Sequence, residues 1–253
     1  MSRSQGSRKI MGIRSIVLFL GAALLFFVPH QGHAGPSFDC AKATAPDEQA
    51  ICADKALSDL DQLINNAYRN FEPQFREKKD VARDILKDRA ACGSDAACIA
   101  SVLADALTTY TASLEEDQKP DSWPQTYAYG LMGRKAAAFA KQGNAEAPQL
   151  PDTPGQCAMT RITELTTRFG EPVTYDNADS GTAITFANGS SQVSYDRNGL
   201  YDLKTGDKVV LCLMSIPHDC PKDDTRGRMY FGMDVKTKAQ WQLPDSQHMC
   251  GGA

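Results

Sequence analysis

The chain has 253 residues, of which 42% are apolar, and its 31 acidic and 27 basic residues give a formal net charge of −4 at neutral pH. This length is sufficient for one or two modest domains. The acidic balance makes nucleic acid and anionic membrane poor partners and favours a basic partner.

The first 34 residues have the organisation of a secretory signal peptide. Four basic residues precede an apolar run over residues 16–28, and Gly32-His33-Ala34 offers a small-x-small cleavage site. The run is shorter than the roughly 20 residues of a membrane-spanning helix, although an uncleaved anchor is the alternative. Cleavage after Ala34 removes the four positive charges and leaves residues 35–253 with a net charge of −8. We therefore expect a periplasmic or secreted protein of the bacterial cell envelope, without stable membrane insertion after cleavage.

All eight cysteines follow this segment, and an even number in an exported chain predicts disulfides rather than free thiols. Four lie in a predicted helical unit, residues 38–117, and four in a predicted all-β unit, residues 157–253, with a linker over residues 118–156 between them. The candidates are Cys40, Cys52, Cys92, Cys98, Cys157, Cys212, Cys220 and Cys250.

Residues 38–117 are predicted to form a small disulfide-bonded helical hairpin or bundle. Thr44-Ala45-Pro46-Asp47 indicates a helix start with a hydroxyl cap and a proline in the first turn. Apolar residues at three- and four-residue steps then predict a helix over residues 57–71, which Pro73 ends, and further helices over residues 80–92 and 99–114. A core of this size is marginal by itself, so the cross-links are expected to matter.

Helix lengths favour one disulfide pairing in this unit. A return helix over residues 80–92 covers roughly 20 Å, while an outgoing helix over residues 52–73 covers roughly 30 Å. Cys92 would then stop short of Cys52. Local bonds between Cys40 and Cys52 and between Cys92 and Cys98 are therefore favoured, while a bond from Cys40 or Cys52 to Cys92 stays open.

Residues 118–156 carry five prolines around an alanine-rich patch, which is typical of a linker with one short helix. After it, six β-prone runs lie at residues 160–167, 182–186, 192–195, 208–216, 228–235 and 240–243. Asn188-Gly189 is a strong signal for a tight turn between the second run and the third. The predicted fold class is therefore α+β and multidomain, with the helical unit followed by a small antiparallel β barrel or sandwich.

No constellation of catalytic or metal-binding residues emerges. His218 and His248 each stand two residues before a cysteine, but oxidation on export would remove the thiols that zinc needs. The adjacent acids Glu115-Glu116 and Asp223-Asp224 are typical of solvated charge rather than of a glycosidase pair. A nucleophile elbow and a phosphate-binding glycine loop do not occur in the sequence. We expect neither an enzyme nor a cofactor.

A series of residues in the helical unit resembles the N-terminal domain of LprI-type lysozyme inhibitors, over residues 38–114. The family usually has Gln and Trp before the arginine and Tyr and Arg after the last cysteine, where this chain has Ala82, Ile85, Leu103 and Ala106. The resemblance implies an envelope protein that binds lysozyme non-covalently and protects peptidoglycan. The matching residues are Phe38-Asp39-Cys40, Glu48, Ile51-Cys52-Ala53-Asp54, Leu57, Leu60-Asp61, Ala67-Tyr68, Arg89, Cys92-Gly93 and Cys98-Ile99.

A lysozyme is typically basic, so an acidic chain would attract it and steer the encounter. The candidate partner-binding residues are Asp54, Asp61 and Glu72, as exposed steering acids, together with Ser180-Gly181. Asp179-Ser180-Gly181-Thr182 is loosely similar to the Ser-Gly loop that membrane-associated C-type lysozyme inhibitors insert into the enzyme cleft. The alternative is a non-catalytic periplasmic module that binds peptidoglycan or another envelope protein.

Overall fold

The computed structural model describes residues 35–174, 176–177, 180–195, 200 and 203–252. The predicted signal peptide, residues 1–34, lies outside the described residues. Contacts assign Ala34–Ala253 to one compact unit. Among the helices described, none is long and apolar enough to cross a membrane.

Within the described residues five α-helices precede the sheet, and the first begins one residue later than the sequence predicts. Ala45 rather than Thr44 is its N-cap, so no hydroxyl caps the helix; instead Glu48 Oε2 accepts a 3.5 Å hydrogen bond from the Ala45 N–H. Asp54 separates the first two helices, because its carboxylate accepts the N–H groups of the next helical turn. The helices are α1 (Pro46–Ala53), α2 (Lys55–Asn70), α3 (Lys78–Ala91), α4 (Ala96–Tyr110) and α5 (Trp123–Lys141).

Helix α4 is the central helix of this layer. Eleven of its fifteen residues are buried, so it is enclosed on nearly all sides rather than amphipathic. Helices α2 and α3 each pack on α4, and few contacts join α2 to α3. The predicted hairpin, in which the outgoing and returning helices pack on each other, is therefore not the arrangement found.

One six-stranded antiparallel sheet follows, in the order β3-β2-β1-β4-β5-β6. All six β-prone runs form strands within three residues of their predicted ends. The predicted turn at Asn188-Gly189 also forms, with Gly189 at φ +81° and its N–H donating to the Phe186 carbonyl. The strands are β1 (Cys157–Thr167), β2 (Thr182–Phe186), β3 (Ser191–Ser194), β4 (Lys208–Ser215), β5 (Met229–Asp234) and β6 (Gln240–Pro244).

The sheet curls into a half-barrel, which brings its two edge strands together. Gln192 of β3 is buried; its amide donates to the Leu243 carbonyl of β6, and its side-chain oxygen accepts from Trp241 Nε1, both at 2.9 Å. The edge strands β3 and β6 are therefore joined by hydrogen bonds of the Gln192 side chain rather than by backbone strand pairing. The architecture is an α+β arrangement with one curled sheet, in place of the predicted barrel or sandwich standing apart from the helices.

Strand β4 is buried on both faces. Val209, Leu211 and Leu213 pack in the inner core of the half-barrel. The alternate residues on β4, Val210 and Met214 among them, belong to the core that the sheet shares with the helices. Helical and β residues thus share one apolar core.

The segment predicted as a linker with one short helix contains α5, which has 19 residues and packs against α4, β4 and β5. Ala128, Met132 and Ala136 are buried at four-residue spacing, and the Tyr129 ring centroid lies 5.0 Å from that of Phe231 in β5. Small residues that indicate a linker in isolation also allow a helix to approach a sheet closely.

The four disulfides each bond two cysteines of the same half of the chain. Cys40–Cys52 and Cys92–Cys98 form the local pairs that the helix lengths favour. Cys157–Cys212 joins paired residues of β1 and β4, and Cys220–Cys250 ties the segment after β4 to the C-terminal residues. Four such bonds fit a protein of an oxidising, extracytoplasmic compartment.

Gly232 provides a test of the sheet packing. An added Cβ there would lie 2.0 Å from Cε2 of the buried Trp241 ring, directly across the strand pair. We expect Gly232→Ala to destabilise the protein by about 3 kcal/mol, and to lower its melting temperature by about 5–10 °C. Gly130→Ala in α5 is the control, since the nearest atom to its Cβ is 3.9 Å away. Equal melting temperatures of the two variants would refute this packing.

Candidate functional site

An apolar groove of about 340 Å³ lies between α2 and α3, with α4 as its floor. It exists because α2 and α3 both rest on α4 without packing closely on each other. Leu86 on its rim is 51% exposed. We call this feature the helical groove. Its apolar and aromatic lining consists of Ile64, Tyr68, Ala82, Ile85, Leu86, Leu103 and Tyr110.

A buried ion-pair cluster closes one end of the helical groove. Arg89 of α3 is 11% exposed; its Nε lies 2.8 Å from Asp47 Oδ2 and its Nη1 lies 3.3 Å from Asp61 Oδ1. Asp61 Oδ2 also accepts a 2.7 Å hydrogen bond from the Ser37 N–H. One guanidinium therefore ties α1, α2 and α3 together, and it fixes the width of the groove at this end.

The residues of the family resemblance converge on this groove. Asp61, Tyr68 and Arg89, which match the family pattern, lie along it. Ala82, Ile85 and Leu103, which depart from the pattern, line the same groove. All three side chains are apolar and add to the apolar lining of the groove.

A second feature, which we call the acidic tip, follows the end of α4. Its acids Glu115, Glu116, Asp117 and Asp121 are all exposed, and only Glu116 has an ion-pair partner, Lys119 at 2.9 Å, among the contacts of the described residues. Beside them lies a cavity of about 350 Å³, whose apolar lining is Leu107, Ala112 and Pro120. Trp123, at the start of α5, is 37% exposed.

Charge is unevenly distributed along the chain. Residues 38–117 contain sixteen acids against nine Lys and Arg, a net charge of −7, out of the −8 carried by residues 35–253. The helical half therefore carries nearly all of the net negative charge, and part of that charge lies at the acidic tip beside an apolar cavity. The acidic pair Glu115-Glu116, interpreted from the sequence as solvated charge, belongs to this tip.

The structure assigns different roles to the three predicted steering acids. Asp61 is 6% exposed, so its predicted exposure is wrong, because Arg89 and the Ser37 N–H take up its carboxylate. Asp54 caps α2 and accepts a 2.8 Å hydrogen bond from the Tyr127 hydroxyl. Burial, together with that bond, raises the pKa of Tyr127 to about 12. Glu72 is exposed, as a steering charge requires.

Ser180-Gly181 does not form the projecting loop that an insertion into an enzyme cleft requires. The Ser180 hydroxyl donates to the Asn177 carbonyl at 2.8 Å. Gly181 is buried at φ +92°, where an added Cβ would lie 2.5 Å from the Ser194 carbonyl. The two residues directly precede β2, and the backbone at Gly181 is closely packed. Asp179 lies outside the described residues.

An exposed aromatic patch adjoins this position and was missed from the sequence. The guanidinium carbon of Arg168 lies 4.5 Å from the Phe169 ring centroid and 5.1 Å from that of Tyr195. Phe169 is 69% exposed and Tyr195 is 48% exposed. We call these three residues the aromatic patch. The sequence offered no signal for it, because Arg168 and Tyr195 are brought together only by the pairing of the strands.

His218 and Asp105 lie in a polar cluster between the helices and the sheet. Burial raises the pKa of Asp105 to about 6, opposed by its hydrogen bond to Ser215 and by the charge of His218, and Asp88 raises it further. The adjoining cavity, about 40 Å³, has room for water but not for a substrate. The hydroxyl of Ser215 contacts Asp105 rather than the imidazole, so the group lacks the geometry of a nucleophile and its base.

The zinc interpretation weighed from the sequence finds no support in the disulfides. Cys220 and Cys250, the cysteines nearest the two histidines, are bonded to each other. His248 is exposed. Across the part of the chain that the structure describes, no group of three or more His, Cys, Asp or Glu is placed to hold a metal ion.

Comparison of the chain with family models, with curated proteins and with solved structures finds no match. The helical groove, the acidic tip and the aromatic patch are therefore defined by this chain's own residues.

Arg89 tests whether the ion-pair cluster shapes the helical groove. Arg89→Met leaves two buried carboxylates, Asp47 and Asp61, without their cation, which costs about 3–5 kcal/mol of unfolding free energy. Lys87→Met, on an exposed position of the same helix, is the matched control and is expected to change stability by less than about 0.5 kcal/mol. Urea unfolding measures both variants. Similar midpoints for the two would show that Arg89 does not hold the three helices together.

Proposed function

We propose that this chain is an exported envelope protein that binds a lysozyme non-covalently and inhibits it, thereby protecting peptidoglycan. The observation that carries the proposal is the coincidence, on the helical side, of concave apolar surface with nearly all of the net negative charge. The acidic tip and the helical groove supply these two properties.

The charge accounts for the approach of the partner. Residues 38–117, at −7, generate a field that attracts a basic enzyme over distances longer than any contact. Because the acids of the tip are exposed, their effect is on the association rate and is screened by salt within about 10 Å at 0.1 M. Inhibition should therefore weaken as the salt concentration rises.

The apolar surfaces account for the bound state. Interfaces gain most of their energy from a few apolar or aromatic anchors in desolvated pockets, surrounded by polar contacts. Leu86 and Trp123 are exposed anchors beside the groove and the tip, respectively. Cys92–Cys98, at the join of α3 and α4, and the Arg89 ion pairs hold this side in one shape before the partner arrives, which reduces the entropy lost on binding.

The chemistry of the cysteines supports the proposed location. Each of the eight is bonded, which an exported protein achieves and a cytosolic protein generally does not. The signal-like residues 1–34 favour the same route. A lysozyme acts on peptidoglycan in that compartment, so inhibitor and enzyme would meet there.

Charge reversal at the acidic tip tests the proposal. The protein spanning residues 35–253 is added to a basic lysozyme that is clearing a cell-wall suspension, and the inhibition constant is measured at low and high salt. Glu115→Lys with Glu116→Lys is expected to weaken inhibition by about tenfold at low salt, because the approach loses its local attraction.

The control for this variant reverses the same number of charges elsewhere. Glu164→Lys with Glu171→Lys alters two exposed acids of the β half, so the net charge is identical in the two variants. We expect the control to inhibit nearly as well as the unaltered protein. Undiminished clearing at every ratio of unaltered protein to enzyme would end the inhibitor proposal, and clearing by the protein alone would show it to be an enzyme.

The aromatic patch favours a second candidate function, a non-catalytic module that binds peptidoglycan. Phe169 and Tyr195 are exposed aromatic residues that both contact one guanidinium, a combination suited to stacking on sugar rings and pairing with the carboxylates of the peptide stems.

Pull-down with purified cell-wall sacculi tests this candidate. Phe169→Ala with Tyr195→Ala is expected to reduce the bound fraction at least about tenfold, because both stacking faces are lost. Trp123→Ala, which removes an exposed aromatic of the helical side, is the control and should bind as the unaltered protein does. Retention of sacculi by the patch variant at the unaltered level would eliminate the patch as their binding site.

A further inference from the structure

His218 occupies a fixed position between the sheet and two helices. It follows β4 and is 9% exposed, and its Nε2 lies 3.2 Å from Asp88 Oδ2 of α3. Within the described residues that buried carboxylate oxygen has no hydrogen-bond partner. A buried, unpaired carboxylate oxygen is costly, so a positive charge on His218 is the compensation that this site offers.

Neighbouring contacts hold the backbone around His218 against the helices. Arg76 Nη1 donates to the His218 carbonyl at 2.9 Å, and Arg76 Nη2 lies 2.8 Å from Asp84 of α3. The Asp219 carboxylate accepts the backbone N–H groups of residues 74–76, which directly precede α3. The backbone that carries the imidazole is therefore held in place relative to α3 by several hydrogen bonds.

The charged groups around His218 come from every element packed against it. Helix α3 contributes Asp88, and α4 contributes Asp105, whose negative charge acts on the imidazole. The segment before α3 contributes Arg76, which Asp84 neutralises. The residues after His218 contribute Asp219 and, around a cavity of about 390 Å³, Lys222, Asp223 and Asp224. Carboxylates thus predominate, and the nearest of them faces the ring.

We propose that His218 is a pH-responsive latch that fastens α3 to the sheet layer more firmly in acid than in alkali. Protonation takes a proton from solvent and places a cation beside Asp88 and near Asp105, converting a weak polar contact into an ion pair. Histidine is the side chain that changes charge between pH 5 and 8. A contact that depends on this charge is therefore stronger at pH 5.5 than at pH 8.

The latch is linked to the helical groove because α3 carries residues of both the latch and the groove wall. Asp88 lies at the latch, while Ala82, Ile85 and Leu86 of the same helix line the groove. Asp105 also makes the folded protein more stable in acid than in alkali. Burial raises its pKa to about 6, so the folded protein binds its proton more tightly than the unfolded chain and loses stability as pH rises through that value. Any effect on partner binding rests on the proposed function, whereas the latch itself does not.

Hydrogen exchange in the protein spanning residues 35–253 tests the latch without any partner. Protection factors, which correct for the intrinsic pH dependence of exchange, are measured for the amides of α3 at pH 5.5 and pH 8. We expect them to be about fivefold higher or more at pH 5.5. His218→Gln should remove most of the difference and leave only the part that Asp105 contributes, whereas His248→Gln should retain all of it, since residues 35–253 contain only these two histidines.

Two further variants separate the latch from other causes. Asp88→Asn removes the ion-pair acceptor and should reduce the difference as far as His218→Gln does, which keeps the test open even if His218→Gln fails to fold. Asp105→Asn removes the contribution of Asp105 and should reduce the difference but not abolish it. Equal protection at the two pH values in the unaltered protein, or a full difference in Asp88→Asn, would overturn the proposal. Because no lysozyme is present, that failure would be distinct from a failure of the proposed function.

Discussion

The apolar layer between the helices and the curled sheet is the constraint on which the rest of this structure depends. Leu107 of α4 and Met132 of α5 belong to the same buried cluster as Met214 of β4 and Phe231 of β5. Every disulfide lies within one half of the chain, so covalent bonds do not join the helices to the sheet. Apolar burial across this layer makes one body of the two halves, with polar contacts added to it, such as those of the Asp219 carboxylate with the backbone N–H groups of residues 74–76.

The same constraint creates the candidate binding surface. Helix α4 is buried on nearly all sides, and α2 and α3 each pack on it rather than on each other. The helical groove lies between them. The position of α3 is then set by polar anchors at neighbouring residues, Arg89 toward α1 and α2, and Asp88 toward the sheet. These anchors hold α3, and with it one wall of the helical groove, in a single position.

Local patterns in the sequence predicted the elements well. The six strands were evident because alternation and turn residues are properties of short segments, and the local disulfide pairs followed from helix lengths. The length of helix α5 and its packing were not predicted, because its alanines pack against a sheet that is distant in the sequence. The single curled sheet also escaped prediction, since the bridge from Gln192 to Trp241 joins residues 49 positions apart.

The candidate site was less predictable than the fold, for a reason that its carboxylates illustrate. Asp61 and Glu72 are chemically equivalent in the sequence, yet Arg89 lies 28 residues after Asp61 and buries it, while Glu72 stays exposed. Exposure of an acid depends on tertiary partners, which periodicity does not identify. The excess negative charge of residues 38–117, by contrast, follows directly from the sequence, and it is the main support for the proposed basic partner.

Differential scanning calorimetry of residues 35–253, with the disulfides intact, tests most directly whether the helices and the sheet share one core. The shared layer predicts one transition, with a calorimetric enthalpy equal to the van't Hoff enthalpy, because neither half can lose its packing while the other keeps it. Two resolved transitions, or a calorimetric enthalpy about twice the van't Hoff value, would contradict this account and show two independently folding parts.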